Sequence, residues 1–275
     1  MDKIFDLTGK IALITGGSRG LGPAIAQAYA EHGADLVIAS RKLEACKNAA
    51  REIAGLTGRR VLPLACHVGN WQDCEPLVER SYTHFGSVDV LVNNAGMSPL
   101  YPSLEAITED LWDKVLAVNL KGPFHLAALI ARRMADGAGG IINISSAAAL
   151  HPTVVELPYA MAKLAVHAMA EGMAHSYGGR VRSNVIAPGV FATDISKAWP
   201  ESFKREIQRI VTMGRAGEAH RFEQMLRWYQ IVFDAKIQHR NPALAFLTYD
   251  DEHHGSHLLT STSCSRRVLS EIAAA

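Results

Sequence analysis

Short apolar runs alternate with helix-length amphipathic segments over most of the chain. The runs are rich in β-branched and aliphatic residues and cover 10–15, 35–39, 61–65, 88–92, 140–145 and 181–187. Such continuous apolar character suits strands that are buried on both faces, and strands that alternate with helices form parallel sheets. The pattern therefore predicts one doubly wound α/β domain, with a parallel sheet and helices on both faces.

Composition narrows the partners that we expect. The 28 basic and 27 acidic residues give a net charge of +1, so no overall field favours nucleic acid, and a small substrate is the simpler expectation. Cys46, Cys66, Cys74 and Cys264 match neither a zinc pattern nor a disulfide framework, which predicts reduced thiols in the cytoplasm. Because no leader-like N-terminus and no run of about 18 apolar residues is present, we expect no membrane partner.

A glycine-rich loop, Thr15-Gly16-Gly17-Ser18-Arg19-Gly20-Leu21-Gly22, follows the first apolar run and leads into an amphipathic segment at 24–32. Glycines allow a sharp turn and let a pyrophosphate approach the N–H groups and the dipole of a helix N-terminus. The spacing is GxxxGxG rather than GxGxxG, and an ordinary turn is the alternative. The strand–loop–helix context favours a Rossmann-like dinucleotide site.

The end of the second predicted strand bears on the choice of cofactor. An acidic residue there would favour NAD(H), whereas this chain has Ser40-Arg41. The guanidinium groups of Arg41 and Arg19 match a 2′-phosphate in charge and geometry. NADP(H) is therefore favoured over NAD(H), the alternative being that both arginines are ordinary surface residues.

Tyr159 and Lys163 are four residues apart in a predicted helix, so they share one helical face. A free tyrosine ionises near pH 10, and a neighbouring ammonium favours the phenolate, so we expect Lys163 to lower the pKa of Tyr159. The same spacing occurs by chance in many helices. Tyr159 is a candidate acid/base only if other motifs accompany it.

Several further motifs occur in order along the chain. They are Asn93-Asn94-Ala95-Gly96, Asn119, Ser145-Ser146, Pro188-Gly189 and Thr193. With the glycine loop and the Tyr159–Lys163 pair, they make the chain resemble the short-chain dehydrogenase/reductase family over residues 4–217. The resemblance implies hydride transfer between a nicotinamide and a carbonyl or alcohol carbon, with Tyr159 as general acid or base.

The resemblance also implies roles for the other residues. Ser146 would bind the substrate oxygen, with Ser145 the weaker candidate, and Lys163 would bind the nicotinamide ribose. Asn119 would hold a water that links Lys163 to solvent; the alternative is a buried asparagine that satisfies backbone groups. The implied cofactor contacts are Thr15, Gly16, Ser18, Arg19, Gly20, Leu21, Gly22, Ser40, Arg41, His67, Val68, Asn94, Ala95, Gly96, Tyr159, Lys163, Pro188, Gly189, Val190 and Thr193.

Two positions depart from the family pattern. His67 stands where members usually carry an aspartate that meets adenine, and Ala149 replaces a glycine after the candidate serine. The Val68 backbone could still hold adenine, and we do not expect Ala149 to inactivate the protein.

The expected substrate pocket is bounded by 97–101, by 147–157 and by the segment after Gly189. Its candidate lid residues are mostly apolar, which favours a hydrophobic ketone or secondary alcohol, although each aromatic could equally pack the core. They are Phe191, Trp199, Phe203 and Met213.

Residues 218–275 differ from the family and are expected to form an atypical C-terminal segment of the same domain as 1–217. An apolar stripe from Phe222 to Phe233 predicts a helix. Phe246-Leu247, Gly255 and Leu258-Leu259 weakly match the family's ending, so the last strand is uncertain and an altered reading frame is an alternative. His253, His254 and His257 are more consistent with solvated side chains than with a metal site.

The first hypothesis is therefore a cytoplasmic oxidoreductase that forms a homodimer or homotetramer, the family's usual assemblies. The alternative is a regulatory or scaffold protein that binds the cofactor without turnover, suggested by the atypical tail. A sugar-nucleotide epimerase of the extended type is disfavoured by the short chain and the loop spacing.

Overall fold

A mainly parallel sheet organises the chain. The computed structural model describes residues 6–134 and 139–193, positions 201, 205, 209 and 211, residues 215–219, and the backbone of 244–248 and 257–260. The six predicted strands are all present: β1 Ile11–Thr15, β2 Asp35–Ser40, β3 Val61–Ala65, β4 Val90–Asn93, β5 Gly139–Ile144 and β6 Val181–Ala187. Their parallel pairing confirms the predicted fold class.

Helices cover both faces of the sheet. They are α1 Leu21–Glu31, α2 Leu43–Thr57, α3 Trp71–Phe85, α4 Glu109–Leu116, α5 Gly122–Met134 and α6 Leu157–Ser176. Successive strand residues point to opposite faces, so Ile14 packs with α1 and α2 while Leu13 packs with α3 and α5. This two-sided burial explains why the strands are apolar throughout.

Helices α4 and α5 are joined by a π-helical turn, Ala117–Lys121. The continuous helix Glu109–Met134 could cross a membrane by length and composition, but half of its most apolar window is buried within the fold. Leu126 and Ile130 are completely buried among the residues of the sheet and α3, which is the arrangement of a core helix.

The strand order is β10-β9-β6-β5-β4-β1-β2-β3, so the chain crosses the sheet between β3 and β4. The carboxyl ends of β1 and β4 therefore lie side by side, with connections that leave in opposite directions. Open α/β sheets bind ligands in the crevice at such a switch point.

Two strands near the C-terminus extend the sheet. β9 Leu244–Thr248 pairs in parallel with β6, and β10 His257–Thr260 pairs antiparallel with β9. Both weak echoes of the family's ending, Phe246-Leu247 and Leu258-Leu259, are thus strands. The helix predicted from Phe222 to Phe233 lies outside the described residues. In the chain between β6 and β9, two short strands, β7 Phe191–Ala192 and β8 Gly217–Glu218, form a separate parallel sheet.

An ion-pair cluster fixes the start of β2. The buried carboxylate of Asp35 lies 2.7 Å from Arg59 Nη2 and 2.6 Å from Arg60 Nη2. Burial by itself raises the pKa of Asp35, but the hydrogen bonds from Arg60 and the charges of both arginines outweigh it and hold that pKa below its ordinary 3.8. The cluster of Asp35, Arg59 and Arg60 therefore stabilises the folded chain at neutral pH.

Candidate active site

The glycine-rich loop forms a cradle at the carboxyl end of β1. Gly16 and Gly20 adopt φ values of 65° and 67°, a region that favours glycine. A Cβ on Gly22 would lie 2.1 Å from the Gly16 carbonyl oxygen, so the first turn of α1 packs directly on the loop. The N-cap residue of α1 is Gly20, which has no side chain to cap the helix. Its backbone N–H groups and helix dipole can therefore bind an anion such as a pyrophosphate.

Thr15 and Asn94 hold this loop to the end of β4. The Thr15 hydroxyl accepts hydrogen bonds from the N–H groups of Asn94 and Ala95, at 3.1 and 3.2 Å. The Asn94 amide donates in return to the carbonyl oxygens of Thr15 and Gly16, at 2.9 and 3.3 Å. These bonds give both residues a part in shaping the cradle; direct contact with a cofactor stays a prediction.

Polar and basic side chains gather beside the loop at the end of β2. Ser18 Oγ donates to Ser40 Oγ at 2.8 Å, and Ser40 Oγ lies 3.0 Å from Cys46 Sγ. Arg19 and Arg41 are both exposed next to these serines in sequence. Within the described part of the chain, neither arginine forms an ion pair. Their positive charges are thus available to a phosphate group.

The residues after β3 form a side of the same crevice. His67 is exposed, and its backbone N–H donates to Asp73 Oδ2 at 3.1 Å. Val68 is buried, and its carbonyl oxygen lies 2.0 Å from where a Cβ on Gly122 would be, so α5 begins in close contact with this segment. The tight packing holds the 67–68 backbone in place.

Helix α6 carries Tyr159 and Lys163 on one face, as the spacing predicted. The Lys163 ammonium lies 5.8 Å from the centroid of the Tyr159 ring. It also donates to the carbonyl oxygen of Ile144, the last residue of β5, at 2.7 Å. Lys163 is almost completely buried, so its ammonium is held away from solvent between the end of β5 and the Tyr159 ring.

Two serines follow β5, and their surroundings differ. Ser146 is partly exposed, and its Oγ accepts a hydrogen bond from the Ala148 N–H at 3.2 Å. Ser145 is buried and donates its proton to the Lys163 carbonyl oxygen at 3.0 Å. The difference favours Ser146 as the group that meets a substrate. Ala149 fits into the buried turn Ala147–Ala149 that follows.

The ionisation of the pair departs from the sequence-based expectation. Burial raises the pKa of Tyr159 to about 12; a hydrogen bond with Ser146 opposes the rise, and the charge of Glu156 adds to it. Burial also lowers the pKa of Lys163 to about 8. The expectation that the Tyr159 pKa is lowered is therefore wrong in direction, because the loss of hydration is the largest influence on the phenol.

Asn119 lies in the π-helical turn and is completely buried. Its Oδ1 accepts from the Met97 N–H at 3.1 Å, and its Nδ2 donates to the carbonyl oxygens of Met97 and Val115 at 2.8 and 2.9 Å. The side chain thus satisfies backbone groups, which was the alternative reading of this residue. A Cβ on Gly96 would lie 3.0 Å from Asn119 Oδ1 and 3.6 Å from Lys163 Nζ, so the loop after β4 brings the two together.

The segment after β6 closes the crevice from the other side. The Pro188 carbonyl oxygen accepts from the Ala147 N–H at 2.8 Å, and the position of a Gly189 Cβ is open. Val190 is joined to Gly217 by a 2.8 Å hydrogen bond. Thr193 Cβ lies 3.8 Å from where a Gly20 Cβ would be, so this segment meets the glycine loop. Of the predicted lid residues, Phe191 packs on the core, and Trp199, Phe203 and Met213 lie outside the described residues.

Two side chains matter here that sequence reasoning did not single out. Tyr101 Oη donates to the Val154 carbonyl oxygen and accepts from the Leu157 N–H, both at 2.7 Å, so it joins the two expected pocket walls. His167 contacts Ser145. Its spacing of four residues from Lys163 was a signal that it shares the helical face; nothing local marked Tyr101.

The comparisons with known proteins agree with this geometry. The family model described as short chain dehydrogenase matches residues 10–203. Human "Dehydrogenase/reductase SDR family member 2, mitochondrial" is 35% identical over 216 residues, covering 78% of this chain and 77% of the relative. D-threitol dehydrogenase of Mycolicibacterium smegmatis is 34% identical over 218 residues, covering 78% and 83%.

A solved structure extends the agreement to the fold. The NADPH-dependent 3-quinuclidinone reductase from Rhodotorula rubra matches with a TM-score of 0.79 and 25% identity, over 86% of this chain and 91% of that one. Sequence, fold and the arrangement of motifs therefore agree: the chain belongs to the short-chain dehydrogenase/reductase family, whose members are NAD(P)-dependent oxidoreductases acting on alcohols and ketones.

Proposed function

We propose that this chain is an NADP(H)-dependent oxidoreductase that interconverts a hydrophobic ketone and a secondary alcohol, with Tyr159 as the acid/base. The observation that carries the proposal is the partly buried Tyr159, whose phenol is hydrogen-bonded to Ser146 and whose ring centroid lies 5.8 Å from the Lys163 ammonium. Ser146 follows the carboxyl end of β5, and Lys163 is bonded to the last residue of that strand, at the edge where this fold binds ligands.

The chain's own residues suffice to handle the proton and the substrate oxygen. The phenol of Tyr159, neutral at pH 7 with a pKa of about 12, donates its proton to the carbonyl oxygen during reduction. Ser146 donates its hydroxyl proton to the same oxygen where negative charge develops. Lys163, with a pKa of about 8, is mostly an ammonium at pH 7 and stabilises the phenolate left behind. The nicotinamide, when bound, supplies or accepts the hydride.

The rim of the crevice supports an apolar substrate. Large hydrophobic side chains are exposed on the two loops that flank Tyr159, and the Tyr101 hydroxyl joins these loops. They are Leu100, Leu150, Val154 and Val155. Exposed apolar groups clustered beside a cleft are typical of sites that bind hydrophobic molecules.

The preference for NADP(H) over NAD(H) is supported by Arg19 and Arg41, which are both exposed. Each directly follows one of the two serines, Ser18 and Ser40, that are hydrogen-bonded to each other. Replacing Arg41 by alanine should weaken NADPH binding about tenfold or more and leave NADH binding within about twofold, since a charge-assisted contact contributes roughly 1.5–3 kcal/mol. Fluorescence titration with both cofactors measures this. Equal losses for NADH and NADPH would contradict a contact with the 2′-phosphate.

Cofactor consumption tests the proposal directly. Purified protein is incubated with NADPH or NADH and a panel of hydrophobic ketones, beside the Tyr159→Phe variant. We expect NADPH turnover that falls about 10²–10⁴-fold in the variant, because phenylalanine keeps the ring and removes the proton. Tight NADPH binding by the wild type without any turnover would instead support a regulatory or scaffold protein.

We also propose a homo-oligomer. Trp112 on α4 and Met161 and Leu164 on α6 are exposed on neighbouring helices, and contiguous apolar surface of this kind marks contacts between proteins. Sedimentation should give a dimer or tetramer, and Leu164→Glu should shift it toward the monomer. A monomeric wild type would refute the proposal.

A further inference from the structure

Two buried polar side chains lie between the end of β5 and helix α6, and the mechanism above uses neither. Ser145 and His167 are 3% and 8% exposed. Ser145 Oγ lies 2.8 Å from His167 Nε2 and 3.0 Å from the Lys163 carbonyl oxygen. Both contacts are within hydrogen-bonding distance, so the hydroxyl bridges two residues of the helix that carries the acid/base pair.

The direction of each hydrogen bond follows from the chemistry of the groups. A carbonyl oxygen can only accept, so the single hydroxyl proton of Ser145 goes to the Lys163 carbonyl. His167 Nε2 must then carry a proton and donate it to Ser145 Oγ. Burial lowers the pKa of His167, so the ring is neutral and protonated on Nε2.

These bonds connect four residues, Ile144, Ser145, Lys163 and His167, which we call the β5–α6 clamp. The Lys163 ammonium donates to the Ile144 carbonyl oxygen at 2.7 Å, one residue before Ser145. By helix geometry the His167 N–H donates to the same Lys163 carbonyl that Ser145 reaches. Strand end and helix are thus joined at both the backbone and the side chain of Lys163.

We infer that His167 is a positioning residue, which through Ser145 fixes the strand end that carries Ser146 against the helix that carries Tyr159 and Lys163. The inference rests on the proposed function, because those are the groups that the clamp holds in place. Ser146 directly follows Ser145, so any freedom of Ser145 relative to α6 is passed on to the substrate-binding hydroxyl. A misplacement of about 1 Å can cost about 10²-fold in rate.

Three substitutions of His167 separate positioning from simple packing. Leucine fills the space without a donor, glutamine brings its amide nitrogen to the place of Nε2, and asparagine carries the same amide but reaches only the place of Nδ1. We expect His167→Leu and His167→Asn to lower kcat about tenfold, with the KM for NADPH within about twofold of the wild type. His167→Gln should keep at least about a third of the wild-type kcat.

His125 provides the matched control, since it is a second buried histidine and its Nε2 has no hydrogen-bond partner in the described part of the chain. His125→Leu should change thermal stability and leave kcat unchanged. The inference would be overturned if His125→Leu and His167→Leu lost the same fraction of kcat for the same loss of thermal stability. Equal kcat values for His167→Gln and His167→Asn would also overturn it.

A second measurement does not depend on turnover. Two-bond ¹H–¹⁵N correlation spectra of the wild type should show that His167 is protonated on Nε2. Its signal is assigned by its loss in His167→Gln, and Ser145→Ala should shift it. Protonation on Nδ1 in the wild type overturns the clamp. If the wild type consumes no cofactor, the proposed function fails, and the tautomer alone then decides whether the clamp exists.

Discussion

Adding one methyl group at Gly22 tests whether the glycine-rich loop works by close backbone contact. In Gly22→Ala the new Cβ would lie 2.1 Å from the Gly16 carbonyl oxygen and 2.7 Å from Gly17 Cα, whereas Cβ atoms in proteins essentially never lie closer than 3.0 Å to such atoms. Both obstacles are backbone atoms, so no side chain can rotate away. The loop and the first turn of α1 must therefore separate by about 1 Å.

The consequence should appear in binding and in stability. Overpacking of this kind costs about 1–3 kcal/mol in the free energy of unfolding. Because the same shift moves the N–H groups of α1 away from the place where phosphate binds, NADPH affinity should fall at least about tenfold. Fluorescence titration measures the Kd for NADPH, and urea unfolding measures the stability.

Gly55→Ala is the matched control. Gly55 lies inside α2, where a Cβ would meet no atom within 4 Å. Alanine should raise the free energy of unfolding there by about 0.5–1 kcal/mol through helix propensity and leave the Kd unchanged. If Gly22→Ala bound NADPH within twofold of the wild type and unfolded no more easily, close packing of the loop would not be the reason for glycine at this position.

Three further predictions concern single side chains. Asp35→Asn should lower the free energy of unfolding by about 1–3 kcal/mol at pH 7, and the difference should shrink as the pH falls below 3.8, because the carboxylate whose pKa is held low then takes up a proton; urea unfolding at both pH values checks this. Burial lowers the pKa of Lys163 from 10.5 to about 8, so unfolding takes up a proton between pH 8 and pH 10.5. As the pH rises through this range, the free energy of unfolding of the wild type should increase by roughly 1–3 kcal/mol relative to that of Lys163→Met. Equal slopes of stability against pH would contradict that. Asn94→Ala should weaken NADPH binding about tenfold by releasing the loop at Thr15 and Gly16, whereas Asn70→Ala, which removes the cap of α3, should cost about 1 kcal/mol of stability without changing the Kd.

The strands and the central motifs could be predicted because their signals are local. A strand buried on both faces is apolar at nearly every position, as β1 and β2 are, and Tyr159 and Lys163 share a face by helical spacing alone. The strand β9 gave only a faint signal, because it lies in the C-terminal segment, where the sequence departs from the family pattern.

Buried polar side chains are the part that the pattern missed. Asn93 and Asn143 end or interrupt apolar runs, yet Asn93 Nδ2 donates to Asn143 Oδ1 at 2.9 Å, and Asn143 Nδ2 donates to the Asn184 carbonyl oxygen at 3.1 Å. The amides thus join β4, β5 and β6 in their register. Asn93 Nδ2 also donates to the Pro123 carbonyl oxygen in α5 at 3.2 Å, so the partners of both amides lie on other elements and the burial could not be inferred from their own segments.

The ionisation of Tyr159 shows the same limit with a consequence for chemistry. Helical spacing placed an ammonium beside the phenol, and on that basis a lowered pKa was expected. Spacing carries no information on burial, however, and the loss of hydration shifts both groups toward their neutral forms, Tyr159 to about 12 and Lys163 to about 8. A neutral phenol is the form that donates a proton to a ketone, whereas oxidation of an alcohol requires the phenolate. Because a tyrosine with a pKa of 10 or of about 12 is a neutral phenol at pH 7, the raised pKa leaves the proton donor in place and makes the phenolate that alcohol oxidation needs harder to form.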